Sequence, residues 1–240
     1  MRVLPAVLAC LIATAQGVMA QSRARIFDVK LGSPVAALPS EEWVNPACGT
    51  NGGPPSLRLE RFADFARCPV ESDTGLHEIW FIYDNEWEYV ARAYRDPVEI
   101  GRFSANVFYS QPIITSLLID GAGLVQGYRV VTDSRAPTEL RLVAHTLTTI
   151  IKGQIRDAPW QCIDQPRGDR EEPIEGSFVK QDCVMVTPER VAKLQGRLLR
   201  KAGQSDLRIA EGYFESSTRL EVFAASAVKD APCCRAFARP

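Results

Sequence analysis

Histidine is scarce in this chain: two in 240 residues, His77 and His145. A structural zinc site asks for four Cys or His ligands at regular spacing. No Cys-x-x-Cys occurs, so neither a zinc-finger arrangement nor a thioredoxin-type redox site is expected. There is no Gly-x-Ser-x-Gly elbow of the hydrolase type and no EF-hand loop. Gly121-Ala122-Gly123 leads into a predicted strand, whereas a phosphate-binding loop opens a helix. No metal and no cofactor is expected. Neither sign of charge is in excess, with 28 Lys+Arg against 29 Asp+Glu and a formal net charge of −1. That balance removes the electrostatic motive for binding nucleic acid. Beyond the first residues no apolar run can span a bilayer; the best, Pro112 to Ile119, is short and contains Thr115 and Ser116.

What the chain does have begins at its start. Arg2 precedes an apolar run from Val3 to Ala15, too short for a membrane span and of the length of a secretory signal core. Val18-Met19-Ala20 puts small residues at the −3 and −1 positions of a signal peptidase site. Cleavage is expected after Ala20, which sends the mature chain to the periplasm or the medium. An uncleaved anchor and a lipidated Cys10, after Val7-Leu8-Ala9, are the rivals. The short run argues against both.

Export gives the cysteines a meaning. Without Cys10 there remain Cys48, Cys68, Cys162, Cys183, Cys233 and Cys234, an even set in an oxidising compartment. Adjacent residues have Cα atoms about 3.8 Å apart, below the usual disulfide window of roughly 4.4–6.8 Å, so a Cys233–Cys234 bond would be strained. The favoured pattern is Cys48–Cys68, with Cys233 and Cys234 tied to Cys162 and Cys183 so that the C-terminal tail is pinned to the body.

Read along the chain, Arg25 to Leu31 alternates like a strand, followed by Ser33 as a cap, Pro34 at a first helical position and a short helix to Leu38. Asn45 to Pro55 is loop, by its Asn-Pro, Asn-Gly-Gly and Pro-Pro steps. His77 to Tyr83 and Glu86 to Ala93 read as a hairpin about Asp84-Asn85. Phe103 to Tyr109, Ile113 to Asp120 and Leu124 to Val131 add strands, the last two joined by a glycine turn. From Pro137 to Gln154 the period changes: Leu140, Val143, Ala144, Leu147 and Ile151 make one apolar stripe, with Arg141, His145, Thr148 and Lys152 opposite. Pro159 to Gly176 is loop-like and Ser177 to Val186 a strand. Thr187-Pro188-Glu189 then looks like the opening of a second helix, with Val191, Leu194, Leu198 and Ala202 inward, Arg197, Arg200 and Lys201 outward, and Gly203 as the stop. Leu207 to Ile209 and Tyr213 to Ala224 close as strands.

The expected fold class is α+β: a mainly antiparallel sheet with two amphipathic helices packed on one side, stapled by disulfides. Residues 21–156 form an N-terminal part and 157–240 a C-terminal part packed on it or belonging to the same domain.

Chemistry is thinly marked. Asp84, Glu86 and Glu88 lie beside Trp80 and Trp87, and paired carboxylates near aromatic rings suit sugar binding or glycoside hydrolysis. Trp80, Trp87, Tyr89 and Tyr109 are the candidate binding surface, set against the plainer reading that they are core. His77 and His145 read as ordinary residues. The first functional reading is a non-enzymatic exported protein that binds a ligand or partner of the cell envelope. The second is an envelope hydrolase using Asp84, Glu86 or Glu88. The third is thiol redox work by Cys233-Cys234.

Overall fold

A computed structural model describes residues 24–84, 93–95, 106–204 and 214–228. Among them ten strands form one sheet, and every pairing is antiparallel. They are β1 (Trp43–Cys48), β2 (His77–Tyr83), β3 (Asn106–Phe108), β4 (Gln111–Ile119), β5 (Val125–Thr132), β6 (Gln161–Asp164), β7 (Glu171–Glu172), β8 (Val179–Val186), β9 (Arg190–Lys201) and β10 (Phe214–Ala224). Across the sheet the order is β1-β2-β4-β5-β10-β9-β8-β6, with β3 on β4 and β7 on β9. Two short helices, α1 (Thr138–Leu142) and α2 (Leu147–Gln154), lie between β5 and β6.

Side-chain alternation gives the sheet two different faces. On one, Phe81, Thr115, Val130, Leu220, Leu194 and Cys183 stand opposite one another in a row across six strands. This face is the main core. It packs under Leu147, Ile151 and Ile155 from the helical segment, Ile26 from the N-terminal stretch and Phe62 from the turn after β1. Trp43 stacks on Phe81 with ring centroids 4.3 Å apart, and its indole N–H donates to the Ala24 carbonyl. The other face carries the row Trp80, Ser116, Arg129, Glu221, Lys193 and Val184. Two glycines permit close approaches. A Cβ at Gly127 would lie 2.5 Å from the Val222 carbonyl oxygen, and one at Gly196 would meet the Thr148 hydroxyl at 2.9 Å.

The predominance of antiparallel sheet agrees with expectation; the balance of helix does not. Residues 190–201 are β9, a strand flanked by β8 and β10, and not a second helix. Both periods are written in this stretch. Val191, Leu194 and Leu198 fit a helix, while Ala192, Leu194, Gly196 and Leu198 fit one face of a strand, and pairing on both edges decides for the strand. Thr187 still does the chemistry read for it. Its hydroxyl accepts from the N–H groups of Glu189 and Arg190, as at a helix start, but the chain returns as a hairpin with Thr187 N–H on the Arg190 carbonyl.

The first helix is broken. A 3₁₀ turn, Ala144–Thr146, separates α1 from α2 and moves the stripe out of phase. Val143, expected inside, is 44 % exposed, and Thr148, expected outside, is 6 % exposed. At the N-terminal end Ile26–Asp28 is a 3₁₀ turn and not a strand. Ser33 donates to the Lys30 carbonyl instead of capping the 3₁₀ turn Val35–Ala37. The first part of the expected loop at 45–55 is β1, with a bulge between Val44 and Ala47. The loop expected at 159–176 contains β6 and β7.

β2 has the bounds read for it, but its edges are taken by β1 and β4. Of the partner expected in the hairpin, 86–92 lie outside the described residues and Ala93 is in a helical turn. The β3–β4 hairpin turns on Tyr109 and Ser110, both in the left-handed region (φ 48° and 64°), as a two-residue hairpin of this hand requires.

Among the described residues two disulfides are closed. Cys48–Cys68 is as expected; Cys162 bonds Cys183, directly opposite it on β6 and β8. The favoured tie of the C-terminal cysteines to Cys162 and Cys183 is therefore overturned, since neighbouring strands bring those two together first. Cys233 and Cys234 lie outside the described residues. No helix among the described residues is long and apolar enough to cross a membrane.

Candidate functional site

Two places gather chemistry-bearing side chains, one inside the protein and one at its surface.

The first lies on the sheet face away from the helices. β5 presents Arg129 there, 2 % exposed. Its Nε donates to Glu221 Oε1 of β10 at 2.8 Å. Nη1 reaches Glu71 Oε1 at 2.8 Å and Glu78 Oε1 at 2.9 Å, and Nη2 reaches Glu71 Oε2 at 3.2 Å. Burial works against the charge on Arg129, but the hydrogen bond to Glu71 and the charges of the three carboxylates outweigh it and hold the guanidinium pKa above its ordinary value. Burial likewise pushes Glu71 and Glu221 upward. The Arg129 guanidinium for Glu71, and Arg219 with Arg129 for Glu221, more than offset this and hold both carboxyls below the usual glutamate value.

The cluster also ties down a loop. Glu78 accepts from the N–H groups of Asn51 and Gly52, and Arg219 donates to the Asn51 carbonyl and side-chain oxygen. A cavity of about 350 Å³ opens beside it, bounded by Glu71, Thr74, Arg129, Lys193, Arg219 and Glu221. Every guanidinium edge of Arg129 is thus satisfied by carboxylate, the arrangement of a rigid internal staple.

The second place is the segment closed by Cys48–Cys68. A cavity of about 720 Å³ is lined by Arg58, Arg61 and Arg67, with Trp43, Leu59 and Phe62 as its apolar wall. The three arginines are exposed, whereas Trp43, Leu59 and Phe62 are buried. The bulge in β1 holds Asn45 at φ 55°, and its Oδ1 accepts from Arg58 Nη2 at 3.2 Å. Arg61 pairs with Asp64 at 3.3 Å, at the start of the 3₁₀ helix Phe62–Arg67. Glu60 also lines the opening.

The residues named from sequence are dispersed. Asp84 closes β2, its N–H on the Glu42 carbonyl at 2.7 Å. Glu86, Trp87, Glu88 and Tyr89 lie outside the described residues, as do Cys233 and Cys234. Trp80 is half-buried on the Arg129 face. Tyr109, 57 % exposed, sits in the β3–β4 turn and accepts from Gln154 Nε2. His77 Nδ1 lies 2.7 Å from the Cys68 carbonyl oxygen, which only accepts, so the ring donates there.

His145 is not on a wet face. It is half-buried, its Nδ1 3.2 Å from the Ser216 hydroxyl, and burial holds its pKa below the ordinary histidine value. This serine–histidine contact is not a poised nucleophile. The Ser216 hydroxyl donates to the Leu142 carbonyl and accepts from the His145 backbone N–H, closing the end of α1. Among the described residues no group of three or more His, Cys, Asp and Glu has a metal-site arrangement.

The chain matches no known protein family, no curated protein and no solved structure. Function must therefore be read from the sites themselves.

Sequence reasoning missed both places. Arg129 did leave a trace, as a lone charge between Tyr128 and Val130 in an otherwise apolar strand. Arg58, Arg61 and Arg67 all fall inside the cysteine-bounded segment, which was visible as a unit but not as a wall.

Proposed function

We propose that the protein is a non-enzymatic binding protein of an oxidising compartment outside the cytoplasm, delivered there by cleavage after Ala20, and that its ligand site is the arginine-lined cavity of the Cys48–Cys68 segment. The observation that carries this reading is the cavity itself. About 720 Å³ is the size of a small-molecule site, and this one is lined by exposed arginine side chains with unspent hydrogen-bonding capacity. The wider chemistry supports it. The buried glutamates are engaged by Arg129, the serine–histidine contact is spent on a helix end, and two disulfides staple the fold. A rigid scaffold with a loop-borne site is a common plan for recognition.

The test is native mass spectrometry of protein expressed with its own leader and purified from the periplasm. The expected spectrum starts at Gln21 and carries a non-covalent small molecule, which leaves when Arg58 and Arg67 are replaced by Gln. A bare chain that retains its leader would overturn the proposal.

A further inference from the structure

The two end strands of the sheet are treated differently. Along β1 the outer edge is taken by the chain that follows it: the Cys48 N–H donates to the Leu57 carbonyl and the Leu59 N–H to that of Pro46. At the other end is β6. Its residues, Gln161 to Asp164, are all exposed, and among the described residues no strand lies along its outer side. The Gln165 N–H donates to the Lys180 carbonyl at 2.7 Å. Ile163 and Gln161, in step with it, therefore bond inward to β8, and the main-chain groups of Cys162 and Asp164 point outward. Such an edge is usually blunted by lysine, proline or a bulge. β6 has none of these, and it presents Ile163, 50 % exposed.

We infer that a second copy of this chain pairs with β6, edge to edge and antiparallel about a two-fold axis. In one register the strand is complementary to itself. Cys162 exchanges main-chain hydrogen bonds with Asp164 of the second copy, and Asp164 with its Cys162. Ile163 then faces Ile163 at a non-hydrogen-bonded position, where Cα atoms are about 4.5 Å apart and side chains touch. Gln161 faces Gln165, two amides that each donate and accept. No like charges stand directly opposite. The two Asp164 carboxylates are diagonal neighbours, on the order of 7–8 Å apart, and each accepts from its own Gln181 Nε2. The Cys162–Cys183 bond ties the pairing strand to the sheet. An unrelated peptide would satisfy the main chain equally, but only a second copy brings the matching isoleucine and glutamines. Two-fold pairing consumes the edge of both copies, so the assembly closes at a dimer.

Sedimentation velocity of the mature protein over a concentration series is expected to show a monomer–dimer equilibrium. I163K sets two ammonium groups face to face and should abolish the dimer, while the fold of the monomer is kept because the side chain is exposed. D164N, or added salt, should raise the dimer fraction by relieving the diagonal repulsion. The register has its own readout. I163C should oxidise to a covalent dimer, since the facing pair falls in the disulfide window of roughly 4.4–6.8 Å; Q161C, which faces Gln165, should not. A monomer at every concentration, a dimer indifferent to I163K, or cross-linking of Q161C in preference to I163C would overturn the inference. A monomer that retains an extended peptide in native mass spectrometry would overturn the second copy as occupant and give the edge to a peptide.

Discussion

Arg129 is the buried side chain on which three carboxylates converge. Three carboxylates depend on it, two of them presented by strands and one by the turn before β2. R129M keeps the volume but leaves Glu71 and Glu78 without the guanidinium that joins them, and Glu221 with Arg219 alone. Breaking a buried ion-pair cluster in this way costs about 3–5 kcal/mol, and urea unfolding should show it; a loss under about 1 kcal/mol, the scale of an exposed pair, would mean the cluster is solvated. The same residues set the acid limit. Glu71 and Glu221 have folded pKa values below their ordinary value of 4.5. The stability they contribute is fully present above about pH 4.5 and is lost as the pH falls through the lowered values. The unfolding midpoint should drop from about pH 5 downward, and E221Q should be less stable at neutral pH with a flatter acid limb. From sequence Arg129 was visible only as an oddity in a strand. Its partners lie 58 and 92 residues away, beyond any local pattern.

At the scale of elements, local and tertiary preferences meet in two stretches. The helical segment 138–154 keeps its composition but is interrupted at Ala144–Thr146, where the Thr218 hydroxyl donates to the Ala144 carbonyl and the Ser216 hydroxyl to that of Leu142. Those β10 hydroxyls take backbone acceptors that a continuous helix would use, and the phase of the stripe shifts. A charge scan reads this directly. V143K should change stability by no more than about 0.5 kcal/mol, as at an ordinary surface site. T148K should cost about 2 kcal/mol or more, because it drives an ammonium between α2 and Gly196. The opposite ranking would restore the uninterrupted helix. The second stretch is β9. Its helix-like residues are Leu, Gln, Lys and Arg, all good helix formers, yet it pairs along its length with β10 on one edge and β8 on the other. The turn Thr187–Arg190 was legible as chemistry because a hydroxyl accepting two N–H groups begins a helix or a hairpin equally well. The strands on either side of residues 190–201 decide between the two, and neither is encoded in the turn.

For the whole molecule, the disulfides hold the two ends of the sheet. Cys48–Cys68 closes a segment of sequence separation 20 beside β1 and β2, and Cys162–Cys183 one of 21 across β6 and β8. In the chain-entropy model each contributes roughly 3 kcal/mol by restricting the unfolded chain. C48S with C68S should lose about that much in urea unfolding and should also release the retained small molecule, since Arg58, Arg61 and Arg67 all lie inside the closed segment. Loss of stability with unchanged binding would detach the cavity from the disulfide. Where neighbours in sequence are neighbours in space, the sequence by itself was sufficient. The bounds of β2, the glycine turn between β4 and β5, and the Cys48–Cys68 pair come from alternation, turn residues and short separations. Where distant segments meet, only the tertiary structure decided. The choice of strand over helix at 190–201, the convergence of three glutamates on Arg129 and the gathering of arginines on one wall all depend on which segments lie side by side. The physical reason is that hydrogen-bond pairing and charge neutralisation are satisfied by proximity, and proximity across a sheet has no signature in the residues between.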